Sequence, residues 1–352
     1  MGIFDRDRSA ERLPVSLITG FLGSGKTTLL NRLLKQPEMG DSAVIINEFG
    51  EIGLDHLFVE SVSGEIKVMR SGCICCTVLS DLDQTLRDLL ARRQEGSVPS
   101  FGRILIETTG LADPAPIMQS LFANPLLVHR LRLDCVIATV DCVHGAMQLD
   151  MQPEALKQAA LADRLLLTKA DIAGQAAVDA LAARLARLNP GAPRHLVRHG
   201  EIGKDRLFAG PGPDGERRIR ELARWFPVPA HAHGHDGHDH GGDVNRHDAR
   251  IRAHCLTAEA PLDWQSCNEW LRLLRDLHGA ELLRVKGVLA LRGESGPVIV
   301  HGVHHVFHPP VALSDWPTAD RRSRLVIIAR DLDGVELARS WQALAEPAAT
   351  LP

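Results

Sequence analysis

One stretch near the N-terminus constrains this chain more than any other. Gly20 to Leu34 reads GFLGSGKTTLLNRLL, and it contains the pattern Gly20-x4-Gly25-Lys26-Thr27. Val15 to Thr19 ahead of it is a short apolar run that predicts a buried strand, and Thr27 to Leu34 behind it predicts a helix. A glycine-rich turn between a strand and a helix is the phosphate-binding P-loop arrangement. Its glycines let backbone N–H groups turn inward around phosphate oxygens, and the helix start adds its positive dipole end. The expected nucleotide contacts are Gly20, Gly23, Ser24, Gly25, Lys26, Thr27 and Thr28, with Lys26 at the β- and γ-phosphates and the Thr27 hydroxyl on Mg²⁺.

The rest of the first half fits such a domain. Val44 to Ile46, Arg103 to Ile106, Val136 to Val140 and Leu165 to Leu167 are further short apolar runs. Continuous apolar strands of this kind are expected where a sheet is covered on both faces. Leu82, Leu86, Leu89 and Leu90 form one helical stripe, and Leu181, Leu185 and Leu188 another. Strands alternating with helices predict a doubly wound, mostly parallel α/β sheet. The run from Arg103 to Ile106 leads into Glu107, followed by Thr108-Thr109-Gly110. There Glu107 is expected to hold a Mg²⁺-bound water, and Gly110 to offer its N–H to the γ-phosphate. Lys26, Thr27, Glu107 and Gly110 form the candidate catalytic set.

Thr168-Lys169-Ala170-Asp171 follows the last of these runs. A carboxylate at Asp171 accepts both N1–H and the N2 amine of guanine, whereas adenine leaves it unpaired at a cost of about 1–3 kcal/mol. Guanine is therefore the expected base, with the Lys169 stem along its plane. Guanine-nucleotide proteins often carry Asn where this chain has Thr168.

A second cluster is chemically different. Cys73-Ile74-Cys75-Cys76 follows Gly72, and Asn47-Glu48-Phe49-Gly50-Glu51 precedes it. Three sulfurs this close suit Zn²⁺, Cu⁺ or Co²⁺. Cys135, Cys142, Cys255 and Cys267 are scattered and are expected to be small buried apolar residues. Thiols in a reducing compartment, an N-terminus without an apolar signal region and no run of 18 apolar residues predict a cytoplasmic protein off the membrane. A formal net charge of −4 gives no nucleic-acid footprint.

After Trp225 the texture changes. Residues 227–249 hold His231, His233, His235, His238, His240 and His247 among Gly and Asp, and read as a flexible linker able to bind metal. They divide a nucleotide domain, 1–226, from a smaller α+β domain, 250–346. In that second domain, Leu262 to Leu277 predicts a helix stopped by Gly279. Strand-like runs follow at Leu282 to Leu291, Val298 to Val306 and Leu325 to Ala329, with a last helix near Val335 to Leu344. His301, His304, His305 and His308 lie near a strand end, where a surface or core role is as open as ligation.

The segments TGFLGSGKTTLLN, INEFGEIGLD, GCICC, ETTGLADPAP, TKAD and LRVKGVLAL, with the His-rich linker, resemble the CobW-type GTPases, relatives of the nickel-insertion GTPases of urease and hydrogenase maturation. The resemblance implies a GTP-dependent metallochaperone, most often for zinc, in some members for cobalt or another metal. It carries functional roles to Gly23 through Thr28, Glu48, Cys73, Cys75, Cys76, Glu107, Gly110, Lys169 and Asp171, and a metal-ligand role to Glu51. The implied cofactors are GTP or GDP, Mg²⁺ and Zn²⁺ (or Co²⁺ or another transition metal), and the implied partner is a client metalloprotein. No motif residue is assigned to orient water and no arginine finger is apparent. Slow basal hydrolysis is therefore expected, with a client or a second copy of the chain as the source of missing groups. A metal store or sensor whose nucleotide only reports energy state is the alternative.

Overall fold

The computed structural model of the chain describes residues 12–46, 58–63, 66–69, 74–77, 82–208, 250–316 and 318–345. They divide into two compact units. The first is built on a nine-stranded sheet in the order β3-β4-β5-β2-β6-β1-β7-β8-β9. Its strands are β1 (Leu13–Gly20), β2 (Ser42–Ile46), β3 (Phe58–Ser63), β4 (Ile66–Met69), β5 (Ile74–Thr77), β6 (Arg103–Glu107), β7 (Leu131–Asp141), β8 (Arg164–Thr168) and β9 (Arg194–Leu196). From β5 to β9 every pairing is parallel, while β3 and β4 run as an antiparallel margin. The doubly wound expectation therefore holds, and the antiparallel margin is an addition to it.

Burial explains the strand sequences. Every residue of β2 and of β8 is buried, as is β1 from Val15 onward. Such strands need apolar residues on both faces. Helix α1 (Lys26–Leu33) buries Leu29, Leu30 and Leu33 against Ile18, Val44, Ile46 and Leu105 in one core. In α2 (Leu82–Glu95) the expected stripe buries Leu86, Leu89 and Leu90, and in α6 (Gln175–Leu188) it buries Leu181, Leu185 and Leu188. The intervening helices are α3 (Ala115–Ala123), α4 (Gly145–Met151) and α5 (Pro153–Leu161), and a short α7 (Lys204–Leu207) follows β9.

The second unit is an antiparallel sheet in the order β10-β15-β11-β12-β13, with β14 pairing β12. These strands are β10 (Ile251–Ala258), β11 (Leu282–Leu289), β12 (Val298–Val303), β13 (Val306–Phe307), β14 (Val311–Ala312) and β15 (Ser323–Arg330). Helices α8 (Trp264–His278) and α9 (Gly334–Ala345) supply Leu271, Leu274, Leu337 and Trp341 to its core. Asp263 caps α8, accepting from the Ser266 N–H at 2.9 Å. Gly279 does end α8, but in the right-handed region at φ −58 rather than as a left-handed cap. A glycine is needed there because a Cβ would stand 2.6 Å from the Arg275 carbonyl oxygen. Among the described residues, no helix is long and apolar enough to cross a membrane.

Candidate functional site

The P-loop springs from the C-terminal end of β1 and closes on the first turn of α1. Gly20, Gly23 and Gly25 all take positive φ, at 138, 69 and 96. At Gly20 the need is also steric, since a Cβ would lie 2.3 Å from Thr139 Oγ1 and 2.4 Å from the Thr139 carbonyl oxygen on β7. The loop is tied down twice. Ser24 Oγ and Thr139 Oγ1 share a buried hydrogen bond of 2.7 Å, and Thr168 Oγ1 donates to the Ser24 carbonyl at 2.7 Å. Lys26 is only 4% exposed, and its Nζ donates to the Phe21 carbonyl at 3.4 Å, curling over the loop's own backbone. Thr28 opens to solvent at the start of α1.

Strand order brings the acidic residue to the loop. β6 lies beside β1 with Glu107 in register with Ile18. Glu107 is fully buried, and its Oε1 accepts a 2.6 Å hydrogen bond from Thr27 Oγ1. A carboxylate excluded from water in this way requires a cation or donors around it. The chain then folds back over the loop. Thr108 N donates to the Ile18 carbonyl at 3.0 Å, and at Gly110 a Cβ would stand 2.7 Å from the Leu22 backbone nitrogen. Only glycine allows that approach between the two segments.

At the end of β8 the structure gives a physical reason for Thr168 in place of Asn. Its hydroxyl holds the P-loop backbone rather than facing an open pocket, and the residue is 6% exposed. Lys169 takes φ 56, and its Nζ pairs with Asp141 Oδ2 at 2.8 Å. Asp141 is 1% exposed at the end of β7, and its other oxygen accepts from the Val143 N–H at 2.7 Å. Asp171 Oδ2 lies 3.9 Å from His199 Nδ1. His199 and Gly200 form a turn with positive φ at both positions, and Arg32 Nε of α1 donates to the His199 carbonyl at 3.2 Å. Asp141 and the His199 turn were not singled out from sequence. An acidic strand end and a His-Gly dipeptide after an extended run were the available signals.

The metal residues are reached only in part. Cys75 and Cys76 stand in β5, in register with Val44 and Ile45 of β2, which in turn pair with Leu105 and Ile106 of β6. Two strand spacings, about 10 Å, therefore separate β5 from the strand that ends in Glu107. Glu48, Glu51, Cys73 and the linker residues His231, His233, His235, His238, His240 and His247 lie outside the described residues. Among the described residues, no group of three or more His, Cys, Asp and Glu could hold a metal. His301 and His308 stack at 5.8 Å between ring centroids. Cys135, Cys142 and Cys267 are buried, as expected, whereas Cys255 is half-buried. Burial, with the Asp263 charge second, pushes the Cys267 thiol up to about 12, and burial with Asp141 pushes Cys142 up to about 11.

Comparison with known proteins agrees with this architecture. Residues 14–195 match the CobW/HypB/UreG nucleotide-binding domain, and residues 251–345 match the cobalamin synthesis protein cobW C-terminal domain. The chain is 35% identical over 336 residues to the zinc chaperone YjiA of Escherichia coli, covering 94% of this chain and 98% of that one. It is 31% identical over 364 residues to the zinc chaperone CobW of Pseudomonas aeruginosa, covering 94% and 91% respectively. The crystal structure of the Zn(II)-bound YjiA GTPase from E. coli superposes with a TM-score of 0.73 at 33% identity, covering 95% of this chain and 99% of that one. A P-loop α/β sheet followed by an antiparallel-sheet domain, matched along nearly the whole chain, establishes that this protein belongs to the CobW family of P-loop proteins.

Proposed function

We propose that the chain is a GTP-hydrolysing zinc metallochaperone, in which one sheet couples the nucleotide site to a thiolate site. The observation that carries this reading is the Thr27–Glu107 contact at 2.6 Å together with the register that runs from Glu107 through β2 to the Cys75–Cys76 strand. The full-length similarity to proteins named as zinc chaperones supports zinc as the cargo.

In this reading Gly20 to Thr28 enclose the phosphates, and Lys26 swings from the Phe21 carbonyl to the β- and γ-phosphates. The buried Glu107 carboxylate and the Thr27 hydroxyl fit a divalent cation, since both are oxygen donors and the carboxylate is shielded from water. Mg²⁺ bound there supplies neutralisation of the charge that develops on the phosphates. Gly110 offers its N–H to the terminal phosphate, Asp171 reads guanine, and the Lys169 stem lies along the base. Cys73, Cys75 and Cys76, with Glu48 and Glu51, hold the zinc, and the linker histidines pass it on to a client metalloprotein. Hydrolysis removes the contact at Gly110, relaxes the segment after β6, and lowers zinc affinity.

The test is delivery. The zinc-loaded chain is mixed with an apo-metalloprotein and GTP, and metal in the acceptor is followed against a non-hydrolysable analogue. Transfer that requires hydrolysis supports the reading. Release into solution without transfer would make the protein a store.

A further inference from the structure

The segment between β6 and α3 is gripped from behind by two consecutive residues of α5. Gln158 is 1% exposed, and its Nε2 donates to the Gly110 carbonyl at 3.1 Å and to the Ala112 carbonyl at 2.9 Å. Because both neighbours are acceptors, only the NH₂ end of the amide can face them. Its Oε1 is buried and accepts no hydrogen bond among the described residues. The side chain therefore carries an uncompensated acceptor while both of its donor contacts go to this one segment. Lys157 Nζ adds an ion pair with Asp113 Oδ2 at 2.9 Å, and Asp113 Oδ1 accepts from the Ala115 N–H at 2.9 Å at the start of α3. On the opposite side, Gly110 lies against Leu22 of the P-loop.

This arrangement fixes the backbone on both sides of Gly110. The carbonyl of Gly110 belongs to the peptide plane fixed by Gln158. Its N–H belongs to the preceding plane, whose Thr109 carbonyl accepts from the Ala112 N–H at 3.1 Å and from Thr108 Oγ1 at 3.3 Å, so that plane is held in the same turn that Gln158 grips. Helix α5 is a firm support, because Leu156, Ala159, Ala160 and Leu161 are buried and the chain continues directly into β8.

We propose that Gln158 is a positioning residue for nucleotide sensing: by clamping the Gly110 and Ala112 carbonyls it holds the turn that aims the Gly110 N–H at the terminal phosphate. This inference rests on the reading that the chain binds GTP at its P-loop. Without the clamp, the sensing N–H is held less often in line with the phosphate, and the GTP state loses affinity that the GDP state never had.

The experiment measures binding of a fluorescent non-hydrolysable GTP analogue and of fluorescent GDP, each with Mg²⁺, to the full chain and to Gln158→Met. Methionine keeps the length and packing and removes both the donor and the unpartnered oxygen. The expected result is a loss of about tenfold in analogue affinity, within the usual range for coupling between sites, with GDP affinity and the melting temperature nearly unchanged. Gln158→Glu, which keeps the shape but turns acceptors toward both carbonyls, serves if the methionine variant does not fold, and the same selective loss is expected. Equal weakening of both nucleotides, or discrimination equal to that of the unaltered chain, would overturn the proposal. Failure of the unaltered chain to bind either nucleotide would instead overturn the GTP reading itself.

Discussion

At the residue scale the nucleotide site is a set of polar groups that hold one another in place. Thr168 is the clearest case, since its hydroxyl donates to the Ser24 carbonyl at 2.7 Å inside the fold. Thr168→Val removes that donor and leaves a buried carbonyl unpaired, which should cost about 1–3 kcal/mol in denaturant melts and weaken nucleotide binding. Thr168→Ser should restore both, and a valine variant as stable as the parent would show that the contact is not made. Lys26→Ala should abolish GTP turnover in a phosphate-release assay; unchanged turnover would remove Lys26 from the catalytic set. The scattered cysteines give a third expectation. The Cys135, Cys142 and Cys267 side chains are buried, and burial raises the thiols of Cys142, Cys255 and Cys267, so these four should react slowly with a thiol reagent at pH 8. Any fast-reacting thiols should belong to Cys73, Cys75 and Cys76 and be protected by zinc. A fast phase that persists in the triple serine variant at these positions would contradict this assignment.

At the scale of elements, strand β10 holds a half-buried titratable group. In the C-terminal sheet, burial first and Arg252 second lower the His254 pKa, against the opposing charge of Asp333. His254 is thus neutral when folded, while the unfolded chain takes up a proton near pH 6.5. Its contribution to stability is complete above that pH and is lost as the pH falls through 6.5 toward the lower folded value. Melting of the full chain should therefore be more acid-sensitive between pH 7.5 and 5.5 than melting of His254→Asn, and an identical pH dependence would refute the assignment. In the first unit, Asp83 of α2 accepts hydrogen bonds from Ser120 of α3 and from Asn124, which caps α3, joining the helix after the cysteine strand to the helix after Gly110. The legibility of these elements followed local chemistry. Fully buried strands such as β2 and β8 centre on the apolar runs Ala43 to Ile46 and Leu165 to Leu167, and the P-loop is fixed by its glycines, so both could be read without the fold. Ile74-Cys75-Cys76-Thr77 reads as a site because of its sulfurs, which hides that the same four residues are β-compatible and form β5. Edge strand β10 mixes Arg252, His254 and Thr257 with apolar residues and, among the described residues, pairs only with β15, so its pattern is weak. Gln158 sits in an alanine-rich helix, and nothing in its spacing distinguishes a buried clamp from a solvent-facing glutamine.

At the scale of the whole molecule, the account is one of linkage. The strand carrying Cys75 and Cys76 and the strand ending in Glu107 are separated only by β2, and β2 ends at Ile46, immediately before Asn47-Glu48-Phe49-Gly50-Glu51. In the proposed reading, a change in the segment after β6 on binding a terminal phosphate passes to the cysteine strand across β2 of the same sheet. Thermodynamic reciprocity then requires zinc to tighten GTP by the same factor as GTP tightens zinc, and a factor of ten to a hundred corresponds to about 1.4–2.8 kcal/mol of coupling. The most direct test is competition of the chain against a chromophoric zinc chelator with Mg²⁺ and either a non-hydrolysable GTP analogue or GDP. The triple serine variant at Cys73, Cys75 and Cys76 serves as the control. The account predicts tight zinc binding in the GTP-analogue state, at least tenfold weaker binding with GDP, and loss of the difference in the variant. Equal zinc affinity in the two nucleotide states would contradict it, because the phosphate loop and the thiolates would then share a sheet without sharing energy.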